Sequence, residues 1–226
     1  MTKEAHSLIT KAILRFIAGM GILSLAVFLS AGSIRYWHGW VYIVTFIILM
    51  LLSFTWLHRH DKALLERRLH SREREDEQRV FVILSSVLTI AIYVVPGLDY
   101  RYGWSSVSLF VVLPAEVLFV VSYLLFFRVM QENSYASRVV EVQEDQKVID
   151  TGMYRIVRHP MYMAMSLFYI STPLVLGSYA GLIPAILFPI VLSLRIKNEE
   201  KVLEERLKGY REYKERVRYR MIPYIW

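Results

Sequence analysis

The chain of 226 residues contains no cysteine, which excludes disulfide bonds, thiolate metal ligands and cysteine nucleophiles. The sequence also lacks a glycine-rich phosphate loop, a GxSxG motif and an HExxH motif. His58, His60 and His70 are the nearest approach to a metal site. His58 and His60 do not share a helix face, however, and no carboxylate spacing completes the set. We therefore expect no metal centre.

Long apolar segments dominate the sequence. Hydrophobic residues make up 55% of it, and they fall in six runs, at about 12–30, 39–57, 80–97, 105–127, 161–176 and 179–194. Runs of about 20 residues are long enough to cross the hydrocarbon core of a bilayer. The predicted fold class is all-α, a polytopic membrane helical bundle. We predict four transmembrane helices in residues 1–127 and a second region, which contains the last two apolar runs, in residues 128–226.

The last two apolar runs are short and are interrupted by Pro173, Pro184 and Pro189. Membrane helices tolerate proline when neighbouring groups satisfy the freed carbonyls. These runs predict either two membrane crossings or a kinked helical hairpin that turns at Gly177 and Ser178. Helical spacing of apolar residues after the hairpin predicts a C-terminal amphipathic helix.

Basic residues are distributed asymmetrically between the predicted loops. With the N-terminus inside, only Arg35 and Arg101 of the 27 lysines and arginines fall on the outer side. The positive-inside tendency then gives six crossings with both termini inside. The net charge of +7 flanks apolar segments, so it indicates contact with membrane lipids rather than with nucleic acid.

The stretch TGMYRIVRHPMY, residues 151–162, is polar although an apolar run follows it directly. Gly152 permits a tight turn, and Pro160 suits the first position of a helix. Arg158 and His159 would then lie at a helix N-terminus, where free N–H groups bind anions. The alternative is a basic anchor at the membrane surface, followed by a helix that starts at the proline.

Two further stretches are candidates for chemistry. In RIKNEE, residues 195–200, Arg195 and Glu199 share a helix face, and carboxylates this close to a membrane are often functional. A surface salt bridge is the alternative. In residues 131–152, repeated valines indicate extended backbone, whose open edge can hydrogen-bond an adenine or a peptide-like ligand. An ordinary connecting loop is the alternative.

Taken together, the last hundred residues resemble the isoprenylcysteine carboxyl methyltransferase family, in its prokaryotic membrane branch. Four features carry the resemblance: a Gly-x-Tyr-Arg turn, an Arg-His-Pro-x-Tyr motif, paired glutamates after the hairpin, and a Tyr-x-x-Tyr near the C-terminus. Met153 stands where the family usually has proline. The resemblance implies an integral membrane enzyme that uses S-adenosylmethionine at a pocket on the cytosolic face of a prokaryotic inner membrane. Residues 128–226 would then be the catalytic, cofactor-binding region.

The resemblance also implies roles for individual residues. Arg195 and Glu199 would be catalytic, with Arg195 orienting a substrate anion. The implied cofactor-binding residues are Gln143, Val148, Ile149, Tyr154, Arg158, His159, Tyr162, Glu199 and Glu200. The substrate would be a lipophilic small molecule or a lipidated acceptor, methylated on a carboxylate. The oligomeric state is left open.

Three other functions fit the same residues less directly. Phospholipid methyltransferases, which methylate amino-lipids on nitrogen, share the C-terminal signature. A sterol-reductase-like membrane reductase would bind NADPH instead, and a membrane scaffold would bind neither cofactor. The presence of the whole residue set argues against a scaffold.

Overall fold

The computed structural model describes residues 3–61, 64, 79–133 and 146–226. Within them the chain is helical, which confirms the all-α prediction. The helices are α1 (Lys3–Ala31), α2 (Trp37–His60), α3 (Arg79–Tyr102), α4 (Leu109–Glu132), α5 (Pro160–Val175), α6 (Leu182–Arg206) and α7 (Tyr210–Arg216), with a 3₁₀ turn at Gly152–Arg155 before α5.

Helices α1 to α4 are each long and apolar enough to cross a membrane, over Ala12–Ala31, Trp37–His60, Phe81–Tyr102 and Leu109–Glu132. Large apolar side chains such as Ile22, Leu29 and Leu113 are mostly exposed on their outer faces. Exposed apolar bands of this kind suit contact with lipid chains. The four predicted membrane helices are therefore confirmed by length and composition.

Helices α5 and α6 form the predicted hairpin and pack against each other. Pro173 lies inside α5 and Pro189 inside α6, yet neither proline ends its helix. Helix α5 has 16 residues and is therefore shorter than each of the four candidate spans, which have 20 to 24 residues. The division of the chain at residue 128 stays a prediction.

The turn of the hairpin is fastened to the end of the bundle that carries Arg35 and Arg101. The Ser178 hydroxyl donates to Asp99 of α3, and the Tyr36 hydroxyl donates to the Leu176 carbonyl. Asp99 is almost fully buried and also accepts hydrogen bonds from the backbone and side chain of Ser105. The turn of the hairpin therefore lies at the end of the bundle where α3 ends and α4 begins, and the choice between two crossings and a re-entrant hairpin stays open.

A glycine permits the tightest helix contact at this end. A Cβ atom at Gly97 of α3 would lie 1.9 Å from Ser30 Oγ and 2.8 Å from the Ala31 backbone nitrogen of α1. Heavy atoms cannot approach this closely, so only glycine fits without moving one helix. The close approach fixes α1 against α3 beside the hairpin turn.

The C-terminal part differs from the expectation of a separate amphipathic helix after the hairpin. Helix α6 continues through the charged stretch as far as Arg206, so the apolar run and the amphipathic stretch form one helix. The chain then turns at Gly209, whose φ is +86°, into the short helix α7. This continuity carries Glu199 and Glu200 on the same rigid element as the second half of the hairpin.

Candidate active site

The turn before α5 is held by the C-terminal end of α4. The Met153 N–H donates to Glu132 Oε2 at 3.2 Å, and Asn133 Nδ2 donates to the Tyr154 hydroxyl at 2.9 Å. Gly152 has a φ of +53°, and a Cβ atom there would lie 2.2 Å from Glu132 Oε2. Glycine is therefore required at the turn, as the sequence predicts, for both its φ and its contact.

The Arg158–His159 pair is tied to the C-terminal segment. The Arg158 N–H donates to the Tyr219 carbonyl at 2.9 Å, and the His159 N–H donates to the Arg220 carbonyl at 2.8 Å. Arg158 Nη1 donates to the carbonyls of residues 217 and 218 at 2.7 and 2.8 Å. The backbone donors that were expected to be free for an anion are thus engaged within the protein.

Glu200 is a buried acceptor for three side chains. Its Oε1 lies 2.7 Å from Arg158 Nε and 3.2 Å from His159 Nε2, and its Oε2 lies 2.8 Å from Arg220 Nε. Only 3% of the Glu200 side chain is exposed. Burial alone would raise the pKa of this carboxyl, but hydrogen bonds from His159, Arg158 and Arg220 outweigh it and hold the pKa far below its usual value.

Glu199 faces a different set of groups. The Tyr162 hydroxyl donates to Glu199 Oε2 at 2.6 Å and accepts a hydrogen bond from Arg195 Nε at 2.8 Å. Glu199 Oε1 lies 4.0 Å from His159 Nδ1, beyond hydrogen-bond distance, and 26% of the side chain is exposed. Tyr162 therefore stands between Arg195 and Glu199, which the sequence had placed on one helix face.

A cavity of about 870 Å³ opens beside this chain of side chains. Helices α2 to α6 all contribute to its wall, which is mainly apolar; lining residues include Met50, Phe54, Phe126, Met165 and Leu192. Tyr162 and Arg195 also line it, and the Arg195 guanidinium lies over the ring of Phe81, 4.9 Å from its centre. The cavity thus has apolar walls and a polar, cationic end.

Two of the other residues expected to bind cofactor, Tyr154 and Val148, contact helix α7. Tyr154 is buried, and its carbonyl accepts a hydrogen bond from the Tyr213 hydroxyl at 2.7 Å. Val148 packs against a cluster that contains Tyr210 and Tyr213. Ile149 is half-buried next to Val148, whereas Gln143 lies outside the described residues.

Tyr210 is a member of this region that the sequence identified only through its Tyr-x-x-Tyr spacing. Its side chain is almost fully buried, yet its hydroxyl has no hydrogen-bond partner among the described residues. Burial, then the neighbouring Glu200, raises the pKa of this phenol well above its usual value, so the hydroxyl stays protonated. A buried hydroxyl without a partner is an exception among folded proteins, in which buried polar groups are normally hydrogen-bonded.

Sequence reasoning missed several contributors to the site. Glu132 and Asn133 precede the turn by about 20 residues, and nothing in their spacing links them to it. Arg220 had no recognisable motif, and the carbonyls of residues 217–220 carry no side-chain signal at all. The Arg158–His159 turn and the glutamate pair, by contrast, come together as expected.

These features define the class of the protein: a helical membrane protein with a charged site at the end of an apolar cavity. Residues 110–209, from α4 to the turn that follows α6, match the family model for phospholipid methyltransferases. That family belongs to the isoprenylcysteine carboxyl methyltransferase-like group of membrane methyltransferases, which confirms the resemblance. Its members are S-adenosylmethionine-dependent methyltransferases, which confirms the predicted enzyme class. No curated protein sequence matches the chain.

Proposed function

We propose that this protein transfers a methyl group from S-adenosylmethionine to the polar head of a lipid-like acceptor whose chain occupies the apolar cavity. One observation carries the proposal. The Tyr162 hydroxyl joins Arg195, at the polar end of the cavity, to Glu199, in the charged site. A water-soluble cofactor and a lipophilic acceptor would therefore meet at Tyr162.

The residues around α7 fit the polar parts of this cofactor. Glu199 is the carboxylate with an oxygen left over, so we assign it to the cofactor's ammonium group. Glu200 already accepts three hydrogen bonds, and its role is to hold Arg158 and His159 in place. The backbone near Val148 and Ile149, together with Gln143, would line the nucleoside.

Methyl transfer makes modest demands on the protein. The cofactor supplies a methyl group on a positively charged sulfur, which the acceptor displaces in line without a covalent enzyme intermediate. The chain's contribution is then to position the two reactants. Arg195 would orient an anionic acceptor through charge-assisted hydrogen bonds, while the apolar walls hold its chain. A carboxylate acceptor, such as that of an isoprenylcysteine, needs no general base.

An amino-lipid is the second candidate acceptor, and the matched family, phospholipid methyltransferase, favours it. An amine attacks only in its neutral form, so this reaction requires a proton acceptor. Glu199, whose side chain is 26% exposed, is the group suited to that role. With a carboxylate acceptor, Arg195 would orient the substrate. With an amine acceptor, Glu199 would accept the proton.

Radiolabelled methyl transfer in proteoliposomes distinguishes these acceptors, with a prenylcysteine analogue, a fatty acid and phosphatidylethanolamine as substrates. Arg195→Met should lower carboxylate methylation roughly 10- to 150-fold, the range for a lost hydrogen bond to a charged group. Arg206→Met, at an exposed arginine near the end of the same helix, is the matched control and should keep wild-type activity. Transfer to none of the three lipids would refute the proposal.

The cofactor and the orientation are tested separately. Calorimetry in detergent should show binding of S-adenosylhomocysteine and no binding of NADPH, whereas the reverse would indicate the reductase. We further propose that both termini and the site face the cytoplasm, because only Arg35 and Arg101 of the 27 lysines and arginines fall in the segments expected on the outer side.

A further inference from the structure

The loop of residues 221–226, which follows the charged helix α7, presents large apolar side chains on its outside. Ile222 is 40% exposed, Tyr224 88% and Ile225 78%. The loop is closed by its own backbone: the N–H groups of Met221 and Ile222 donate to the Trp226 carbonyl at 2.9 and 3.0 Å, and the Trp226 N–H donates to the Ile222 carbonyl at 3.0 Å. Tyr224 has a φ of +66°, which is uncommon for a bulky residue. The fold therefore holds these side chains outward.

The chain before this loop runs beside the first turns of α5. The carbonyls of residues 219 and 220 accept hydrogen bonds from the turn that precedes Pro160. Met221 is almost fully buried, and its Sδ lies 3.6 Å from the Ser166 hydroxyl oxygen. The loop thus begins at the level of Ser166 rather than at the start of the helix.

Ser166 lies at the level of the apolar spans. Met161, near the start of α5, packs with Leu57 and Met130, which belong to the spans Trp37–His60 and Leu109–Glu132. Ser166 is five residues further along α5, a rise of roughly 7–8 Å. The loop therefore begins beside helices that are apolar enough to cross a membrane, and not beyond their ends.

Lipid is the surrounding that this position gives to the exposed side chains, and exposed apolar groups held together on one surface mark a contact site. We propose that residues 222–225 insert into the bilayer leaflet at the end of the bundle that carries the charged site, with Tyr224 and Ile225 among the lipid chains. The insertion does not depend on which methyl donor or acceptor the site binds.

The residues that flank the exposed tip suit the headgroup region of the same leaflet. Arg218 is exposed, and its side chain makes no hydrogen bond or ion pair with the described residues, so it can pair with an anionic headgroup. The Trp226 ring lies under the Arg220 guanidinium, 5.3 Å from its carbon, and tryptophan is enriched at membrane–water interfaces. This charge pattern favours a lipid surface over a protein partner as the group that covers the loop.

The absence of native cysteine permits a test with single-cysteine variants. Ile225→Cys, labelled with the fluorophore NBD, reports on the surroundings of the loop in phosphatidylcholine vesicles. Because the Ile225 side chain is mostly exposed, its replacement should leave the fold intact. Lys208→Cys is the matched control, at an exposed residue beyond the end of α6.

The label on Ile225→Cys should emit at shorter wavelength than the label on Lys208→Cys. It should lose emission to lipids brominated on their chains and keep it when iodide is present on both sides of the membrane. The label on Lys208→Cys should show the reverse, with loss of emission to iodide and none to brominated lipid.

Two results would overturn the inference. Quenching of the Ile225→Cys label by iodide and not by brominated lipid would place the loop in water. A label that emits at short wavelength but is reached by neither quencher would place the loop against protein. Disulfide cross-linking of the unlabelled Ile225→Cys variant between copies would then identify a second copy of the chain as the partner.

Discussion

Replacing Glu200 with glutamine should destabilise the protein substantially. The substitution keeps the size of the side chain but removes the charge that Arg158, His159 and Arg220 share. It also places an amide donor where one of these three donors now binds. Because the Arg158 side chain is only 4% exposed, its guanidinium would be left in a buried position without a counter-ion.

The magnitude follows from this burial. Removing one partner of a buried ion pair costs about 3–5 kcal/mol. Arg158 keeps its hydrogen bonds to the carbonyls of residues 217 and 218, and Arg220 is exposed enough to turn to solvent. We therefore expect a loss of stability at the lower end of this range, about 3 kcal/mol. For a chain of this length, that corresponds to a fall of roughly 6–12 °C in the unfolding temperature.

Thermal unfolding followed by tryptophan fluorescence in detergent measures this change. Glu199→Gln is the control, because Glu199 is part-exposed and a glutamine there can still accept the hydrogen bond from Tyr162. This control variant should lower the unfolding temperature by no more than about 2–4 °C, which is equivalent to about 1 kcal/mol. An effect of Glu200→Gln as small as that of the control would refute the idea that Glu200 holds the site together.

The stability lost in Glu200→Gln should depend on pH, and the direction follows from the lowered pKa of Glu200. Folding lowers the pKa of Glu200, so its stabilising effect is complete above the usual carboxyl value of 4.5 and declines as the pH falls below it. The difference in unfolding temperature between wild type and Glu200→Gln should therefore be constant near neutral pH and shrink below about pH 4.5. A difference that grew on acidification would contradict the low pKa.

Two further predictions concern the bundle. Gly97→Ala should cost about 1–3 kcal/mol of stability through its clash with Ser30, whereas Gly21→Ala, with no atom within 4 Å, should change stability by less than about 1 kcal/mol; equal effects would disprove the close contact. The absence of native cysteine permits a topology test by labelling single cysteines in intact cells with a membrane-impermeant maleimide. Ser106→Cys should react and Lys208→Cys should react only after permeabilisation, and the reverse pattern would invert the proposed orientation.

The parts of the fold that the sequence predicts are those governed by local pattern. Four helices follow from apolar runs of membrane length, and the turn before α5 follows from Gly152 and Pro160. The continuation of α6 was missed because its apolar run ends at Arg195, where a charged stretch begins. Helix propensity does not change at that boundary, so hydropathy alone places the end of the helix too early.

The site was predictable as a set of residues but not as a set of contacts. Arg158 and Glu200 both carry charge next to the membrane, which marks them in the sequence, yet their pairing depends on how the hairpin folds back. Tyr162 as the link between Arg195 and Glu199 could not be read from spacing, because the three residues lie on two helices. Backbone carbonyls such as those of residues 217–220 are invisible to motif analysis.

The position of the cavity has a consequence for how such an enzyme could change its choice of lipid. The matched segment begins in α4, whereas α2 and α3 supply one wall of the cavity through residues such as Met50, Phe54 and Phe81. The groups proposed for the methyl donor all lie later in the chain, beyond α4. Exchanging the first three helices for those of a relative would therefore change which lipid chains fit the cavity. The residues proposed to bind the methyl donor would keep the same amino-acid sequence.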